Sequence, residues 1–266
     1  PGALFEELGL RYIGPIDGHS IETLTDIFHN IKNVKNPVLL HVITEKGKGF
    51  HPALENPARF HSAGNYQMHN GKMKEKPKDP KQISYTKVFG DTMIELAESN
   101  RDIVAITAAM PDGTGLDAFG KKYPDRYIDV GICEQHAIGL ANGLVSAGIK
   151  PVAAIYSTFL QRAYDQVFHD VCLQNNGVLL ALDRAGIVGN DGPTHNGVFD
   201  IAYLRHLPEI TLMAPKDGAE LKAMLHMAVP LNTPAAVRYP RANIPEGSLN
   251  NDCKPIEMGK GEILRE

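Results

Sequence analysis

Short apolar, β-branched runs alternate with stretches whose apolar residues recur every three or four positions. That alternation confines the fold to a parallel α/β sheet with crossover helices. Residues 12–16 read as a strand. Ser20 can cap a helix carrying Ile21, Leu24, Ile27, Ile31 and Val34, and VLLHVI over 38–43 reads as a buried strand. Further on, strands are expected at 103–107, 126–130, 151–155, 178–183, 211–214 and 235–239. Helices are expected after Ser84, over 134–147 and 159–173, and from the capping box Asp217-x-x-Glu220. The predicted architecture is α/β, an open parallel sheet of about six strands with helices on both faces, preceded by the tail of a second α/β unit.

The alternation fails between Thr44 and Ile83, where Gly, Pro, Lys and His accumulate. NGKMKEKPKDPK over 70–81 reads as a charged linker. A domain boundary is therefore expected near Pro80. The chain has 266 residues, with 27 Lys plus Arg against 31 Asp plus Glu, a balance that gives no basic face for nucleic acid. No apolar run is long enough to span a membrane. Cys133, Cys172 and Cys253 form no CxxC pair, which suits a reducing compartment and no zinc site. The chain starts at Pro1 with no initiator Met and no signal or transit character, and 250–266 begins a new segment and stops. A piece of a longer polypeptide is the expectation.

Ligands of open parallel sheets bind beyond the carboxyl ends of the strands, so the chemistry is sought there. P-loop, GxGxxG, GxSxG and HExxH motifs are absent. Glu134, in VGICEQH, stands where a strand meets a helix. It is either a first-turn acid favoured by the helix dipole or a carboxylate that hydrogen-bonds a cofactor ring nitrogen. DRAGIVGNDGPTHNG over 183–197 is a glycine-rich loop off the most apolar strand, carrying Arg184, Asp191 and His195, and reads as a binding loop. Arg238 and Arg241 in RYPR can fork onto an anion or sit in a solvated turn; Arg184 nearby favours an anion site. In YSTFLQRAYDQ, Phe159 and Tyr164 are either core residues of an amphipathic helix or, for Phe159, a stacking surface at the rim beside Arg162. His19 lies in a Gly/Pro turn, and His51, His61 and His69 match no metal-ligand spacing.

YIGPIDGH, HVITEKGKGF, DVGICEQHAIGLANGL, AIYSTFLQRAYDQV, DRAGIVGNDGPTHNGVFD and RYPRAN together resemble the thiamine diphosphate-dependent transketolase family over nearly the whole chain. The resemblance implies that 1–80 is the C-terminal part of a diphosphate-binding domain with its linker. It makes 81–244 a complete pyrimidine-binding domain and 245–266 the start of a third domain. It implies a transferase that decarboxylates pyruvate and joins it to glyceraldehyde 3-phosphate through an enamine of thiamine diphosphate, feeding isoprenoid synthesis. Mg²⁺ is implied as well, with ligands outside this chain. In that reading Glu134 hydrogen-bonds N1′ of the aminopyrimidine and Phe159 stacks on it, with Arg162 in the site wall. Arg184 and Arg241 hold the substrate phosphate beside Tyr156 and Asp191. His195 and His19 transfer protons or orient a carboxylate. A cytoplasmic homodimer is implied, or a plastid enzyme if the source is a plant. Ala242, where the family pattern has Gly, and Cys133 before Glu134 are departures. A non-catalytic binding domain and another reaction of the same family remain open alternatives at this point.

Overall fold

Three helices begin at a side chain that accepts a main-chain N–H from the first turn: Ser20 from Thr23, Ser84 from Lys87 and Asp217 from Glu220. The structure, a computed structural model, describes residues 2–57, 60–61, 63–73, 82–250 and 256–263. The expected boundary at Pro80, most of its linker, and Cys253 lie outside these residues. The chain forms two compact units, Pro1–Lys78 and Asp79–Glu266.

The first unit runs α1 (Ala3–Glu7), β1 (Arg11–Asp17), α2 (Ile21–Ile31), β2 (Val38–Ile43) and α3 (His51–Glu55). β1 and β2 pair in parallel from Arg11 opposite Val38 to Asp17 opposite Ile43. α2 stops at Ile31, and Val34 closes a turn back onto the Ile31 carbonyl at 2.9 Å instead of extending the helix. β2 is not the buried strand its sequence suggests. With β1 as its one partner among the described residues, it leaves Val42 and Ile43 exposed.

The second unit begins with α4 (Tyr85–Ser99), β3 (Ile103–Thr107), α5 (Pro111–Thr114), α6 (Asp117–Lys122), β4 (Tyr127–Asp129) and α7 (Glu134–Ser146). It continues with β5 (Lys150–Tyr156), β6 (Leu179–Asp183), α8 (Asp200–Leu204), β7 (Thr211–Met213), α9 (Gly218–Ala228) and β8 (Ala235–Arg238). Its six strands lie in the order β4-β3-β5-β6-β8-β7, every pairing parallel. The period of two in the strands feeds two separate cores. Val152, Ala154, Leu179 and Ala181 join Phe89, Met93, Leu221 and Tyr239 on one face. Ala153, Ile155, Leu180 and Leu182 join Ile138, Leu160, Val167 and Leu204 on the other. Among the described residues no helix is long and apolar enough to cross a membrane.

The expected helix over 159–173 is instead a 3₁₀ turn at Phe159–Ala163 followed by a wide, π-type segment at Gln166–Cys172. Leu160, Ala163, Val167, Val171 and Cys172 are all buried, while Phe159 and Arg162 face the rim. A tightened turn followed by a widened one lets one short segment serve both directions.

Gly90, in the middle of α4, sits against the Gly115 carbonyl, so a Cβ there has no room. Gly90→Ala should destabilise the fold by about 1–3 kcal/mol, read from urea unfolding; an unchanged midpoint would refute that close approach. Burial pushes the Cys172 thiol up to about 11, whereas Cys133 is exposed. At pH 8 only about one Cys172 in a thousand is thiolate. Iodoacetamide with peptide mapping should label Cys133 and spare Cys172, with Cys172 labelling rising only as the pH approaches 11 or the chain unfolds.

Candidate functional site

The carboxyl ends of β3, β4, β5 and β6 open onto one rim. The Asp129 carboxylate at the end of β4 accepts the N–H of Ala109 at 2.7 Å and of Gly131 at 2.9 Å, tying the loop after β3 to the loop before α7. Ala109 and Gly131 both have left-handed backbones, which these bonds hold in place. The tied loop delivers Glu134 as the first residue of α7, where the helix dipole favours a negative charge.

Glu134 is 1% exposed. Arg162 donates from Nη1 to Glu134 Oε1 at 2.7 Å. Oε2 is buried and has no hydrogen-bond partner among the described residues. A half-satisfied buried carboxylate is costly, and a ligand or water that completes the set relieves that cost. Oε2 is thus the polar atom of this carboxyl group left for a ligand to meet.

From Glu134 a line of contacts runs along the rim. The Arg162 guanidinium lies 4.9 Å from the centroid of Phe159. Phe159 stacks on Tyr156 with centroids 5.6 Å apart and planes 19° from parallel, and His195 meets both rings, at 5.2 and 6.2 Å. The Arg184 guanidinium lies 4.0 Å from the Tyr156 centroid, a cation–π contact. Tyr156 is buried, which raises its phenol pKa above the usual value; its ring crowds Gly113 so closely that no side chain fits there. Asp191 then lies between two guanidinium groups: Oδ1 accepts from Arg241 Nη1, and Oδ2 stands 3.5 Å from Arg184 Nε, an ion pair longer than a hydrogen bond. The glycine loop that carries Asp191 and His195 closes on itself through paired Gly186 and Gly197 main-chain bonds, each 2.8 Å. Beside Arg241 a cavity of about 370 Å³ is lined by Ser84, Thr86, Val188, Ala242 and Asn243. The rim thus offers, in sequence, a carboxylate acceptor, a flat aromatic wall and a cationic pair.

Residues 81–246 match the profile of the transketolase pyrimidine binding domain. The chain belongs to that family. Residues 1–44 match the profile named 1-deoxy-D-xylulose-5-phosphate synthase. Curated relatives with that name align along the chain: one from Geobacter sulfurreducens is 56% identical over 266 residues, 100% of this chain and 41% of that protein. One from Natranaerobius thermophilus is 55% identical over 265 residues, again 100% of this chain and 42% of its own length. The chain therefore spans about two fifths of the relatives it matches. Among solved structures, a split-gene transketolase described as an inactive β4 tetramer superposes with a TM-score of 0.58 at 29% identity, over 65% of this chain and 56% of that one. Transketolase from Leishmania mexicana gives 0.57 at 24%, over 65% and 28%, a likeness of fold.

Among the residues singled out from this family's motifs, Glu134, Arg162, Phe159, Tyr156, His195, Arg184, Asp191 and Arg241 share the one contact line. His19 lies in the first unit, exposed, where its Nε2 accepts the Glu45 N–H at 2.8 Å. Arg238, weighed with Arg241 as half of an anion fork, is not available: its Nε donates to the buried Asp200 carboxylate at 2.8 Å. Tyr164 is half-buried against Tyr203 and His206. Reading the sequence missed the roles of Asp183, which holds Arg184, and of Thr86, which donates to Asp183; the sole signal was an acid ending the apolar run VLLALD. Among the described residues no group of three or more His, Cys, Asp or Glu side chains could hold a metal ion.

Arg238→Met leaves the Asp200 charge buried and unpaired, so it should cost about 3 kcal/mol of stability in a chemical unfolding titration. Arg241→Met, half-exposed, should cost under about 1 kcal/mol; equal losses would contradict the division of labour between them.

Proposed function

We propose that this chain forms the pyrimidine-binding side of a thiamine diphosphate-dependent transferase site. The reaction condenses pyruvate, with loss of carbon dioxide, with glyceraldehyde 3-phosphate to give 1-deoxy-D-xylulose 5-phosphate. The relatives' shared name supports the reaction, and the partnerless Glu134 Oε2 is the observation that carries the cofactor assignment. When bound, the cofactor supplies carbanion chemistry at a carbon between nitrogen and sulfur. The residues fit it: Glu134 Oε2 lacks a partner, and a ring nitrogen of an aminopyrimidine can share a proton with it, with Phe159 supplying a flat surface beside it.

The chain's own contributions follow from position. Glu134 would share one proton with ring nitrogen N1′, donating it as the acid to the amino form and accepting it back as the carboxylate from the imino form. Arg162, hydrogen-bonded to Oε1, keeps the carboxyl group aimed. Arg184 and Arg241 bind the aldehyde's phosphate, for which it must compete with the Asp191 carboxylate already between them. Tyr156 backs that anion site, and His195, against both rings, is placed to give or take a proton at the reacting oxygen. His19 serves as a second proton-transfer or carboxylate-orienting group. With Nε2 accepting from Glu45, its proton sits on Nδ1.

In domain terms, 1–80 is the C-terminal part of the diphosphate-binding domain with its linker, 81–244 the pyrimidine-binding domain and 245–266 the start of a third. The profile matches at 1–44 and 81–246 support this division. Mg²⁺ and the diphosphate would be held by residues outside this chain. We place the enzyme in the cytoplasm as a homodimer; the unpaired thiols of Cys133 and Cys172 suit a reducing compartment.

In the full-length protein, Glu134→Gln should lower turnover at least ~10²-fold, with 1-deoxy-D-xylulose 5-phosphate formed by the wild type from pyruvate and glyceraldehyde 3-phosphate and identified by mass spectrometry. Near-normal turnover would remove Glu134 from its role. Product formed only from a ketose phosphate donor would point to a different reaction of the family.

A further inference from the structure

We infer that Asp183 is a positioning residue. Its carboxylate, backed by Thr86, fixes the Arg184 guanidinium on the Tyr156 ring and so sets the affinity for the substrate phosphate. The inference rests on the reading above, in which Arg184 meets that phosphate.

Asp183 ends β6, an interior strand of the sheet, and is 0% exposed. A carboxylate in that position costs several kcal/mol unless its lone pairs are filled. They are filled from two directions. Oδ1 accepts the main-chain N–H of Arg184 at 2.7 Å and stands 2.9 Å from Arg184 Nη1. Oδ2 accepts the hydroxyl of Thr86, in the first turn of α4, at 2.7 Å. Both oxygens are engaged within the protein, so Asp183 acts through its neighbours. Burial still pushes its carboxyl upward, against the lowering pull of Arg184 and Thr86.

What it acts on is Arg184, held twice. The Arg184 backbone is left-handed at φ +60, a conformation costing a non-glycine residue about 1–2 kcal/mol. The Asp183 bond to its N–H stabilises that turn. The Arg184 side chain then returns over Asp183, with Nη1 also donating to the Gly113 carbonyl, and lies on Tyr156. This leaves Nε facing Asp191, the side from which an anion would approach. Without Asp183 the guanidinium keeps its charge but loses its orientation, and bidentate anion recognition depends on orientation.

A structural ion pair and a positioning residue differ in which substrate suffers. In the full-length protein, KM and kcat would be measured with glyceraldehyde 3-phosphate and with unphosphorylated glyceraldehyde. Calorimetric titration with glycerol 3-phosphate, and glycerol as control, gives binding without turnover. The wild type tests the underlying reading: if it does not prefer the phosphorylated aldehyde, that reading fails before any variant is made. Given the preference, Asp183→Asn should raise KM for glyceraldehyde 3-phosphate about tenfold and weaken glycerol 3-phosphate equally, leaving KM for glyceraldehyde and for pyruvate within about twofold. Thr86→Val should act in the same direction, Thr86→Ser should restore wild-type behaviour, and Asp183→Asn with Thr86→Val should be no worse than Asp183→Asn alone. Unchanged selectivity in Asp183→Asn, or equal losses on both aldehydes, overturns the inference. If Asp183→Asn fails to fold, the Thr86 pair decides: Val and Ser variants with the same phosphate selectivity overturn it.

Discussion

A carboxylate withdrawn from water and only half satisfied governs this molecule. Removing Glu134 from solvent is expensive, and Arg162 compensates one oxygen only. The fold tolerates this because the N-terminus of α7 adds a favourable field and because the loop before it is pinned through Asp129. Every feature that delivers Glu134 belongs to the parallel sheet: the end of β4, the start of α7, and the short segment after β5 that presents Phe159 and Arg162. A group left unpaired at the position where open parallel sheets bind ligands is more economically explained by a ligand than by tolerated strain.

The same principle runs along the rest of the rim, where charge is stored in compensated form. Asp183 is filled by Thr86 and Arg184, and Asp191 lies between Arg184 and Arg241. The cationic pair is thus never bare. In the proposed function an incoming phosphate would exchange one anionic partner for another, which favours selection by geometry over attraction at a distance. Aromatic stacking of Tyr156 on Phe159 joins this anion region to the Glu134 region through a rigid wall.

Much of this was legible in the sequence because periodicity and caps are local properties. Ser84, Ser20 and Asp217 start their helices as read, and the six-stranded sheet follows from runs that are apolar on both faces. The residues alone pointed to the glycine-rich loop, to an anion site at Arg184 and Arg241 and to Phe159 as a stacking surface, and left Glu134 open between a first-turn acid and a cofactor ligand. The individual roles came only with motifs resembling a known family. What escaped was non-local. Arg238 and Arg241 are chemically identical neighbours in RYPR, and only the arrival of α8 with Asp200 takes one of them away. VLLHVI has the composition of a buried strand, yet among the described residues it has a single neighbour. The tightened and widened turns of 159–172 answer two opposing demands on one segment, and its helical periodicity records only the core-facing one.

The central claim is that Glu134 shares a proton with a ring nitrogen of the cofactor and so activates it. Deuterium exchange of the C2 proton of bound thiamine diphosphate, followed by rapid acid quench and NMR in the full-length protein, tests it most directly. The account predicts fast exchange in the wild type and a collapse toward the free-cofactor rate when Glu134 is replaced by Gln, with the cofactor still bound. Exchange equally fast in the variant would contradict it.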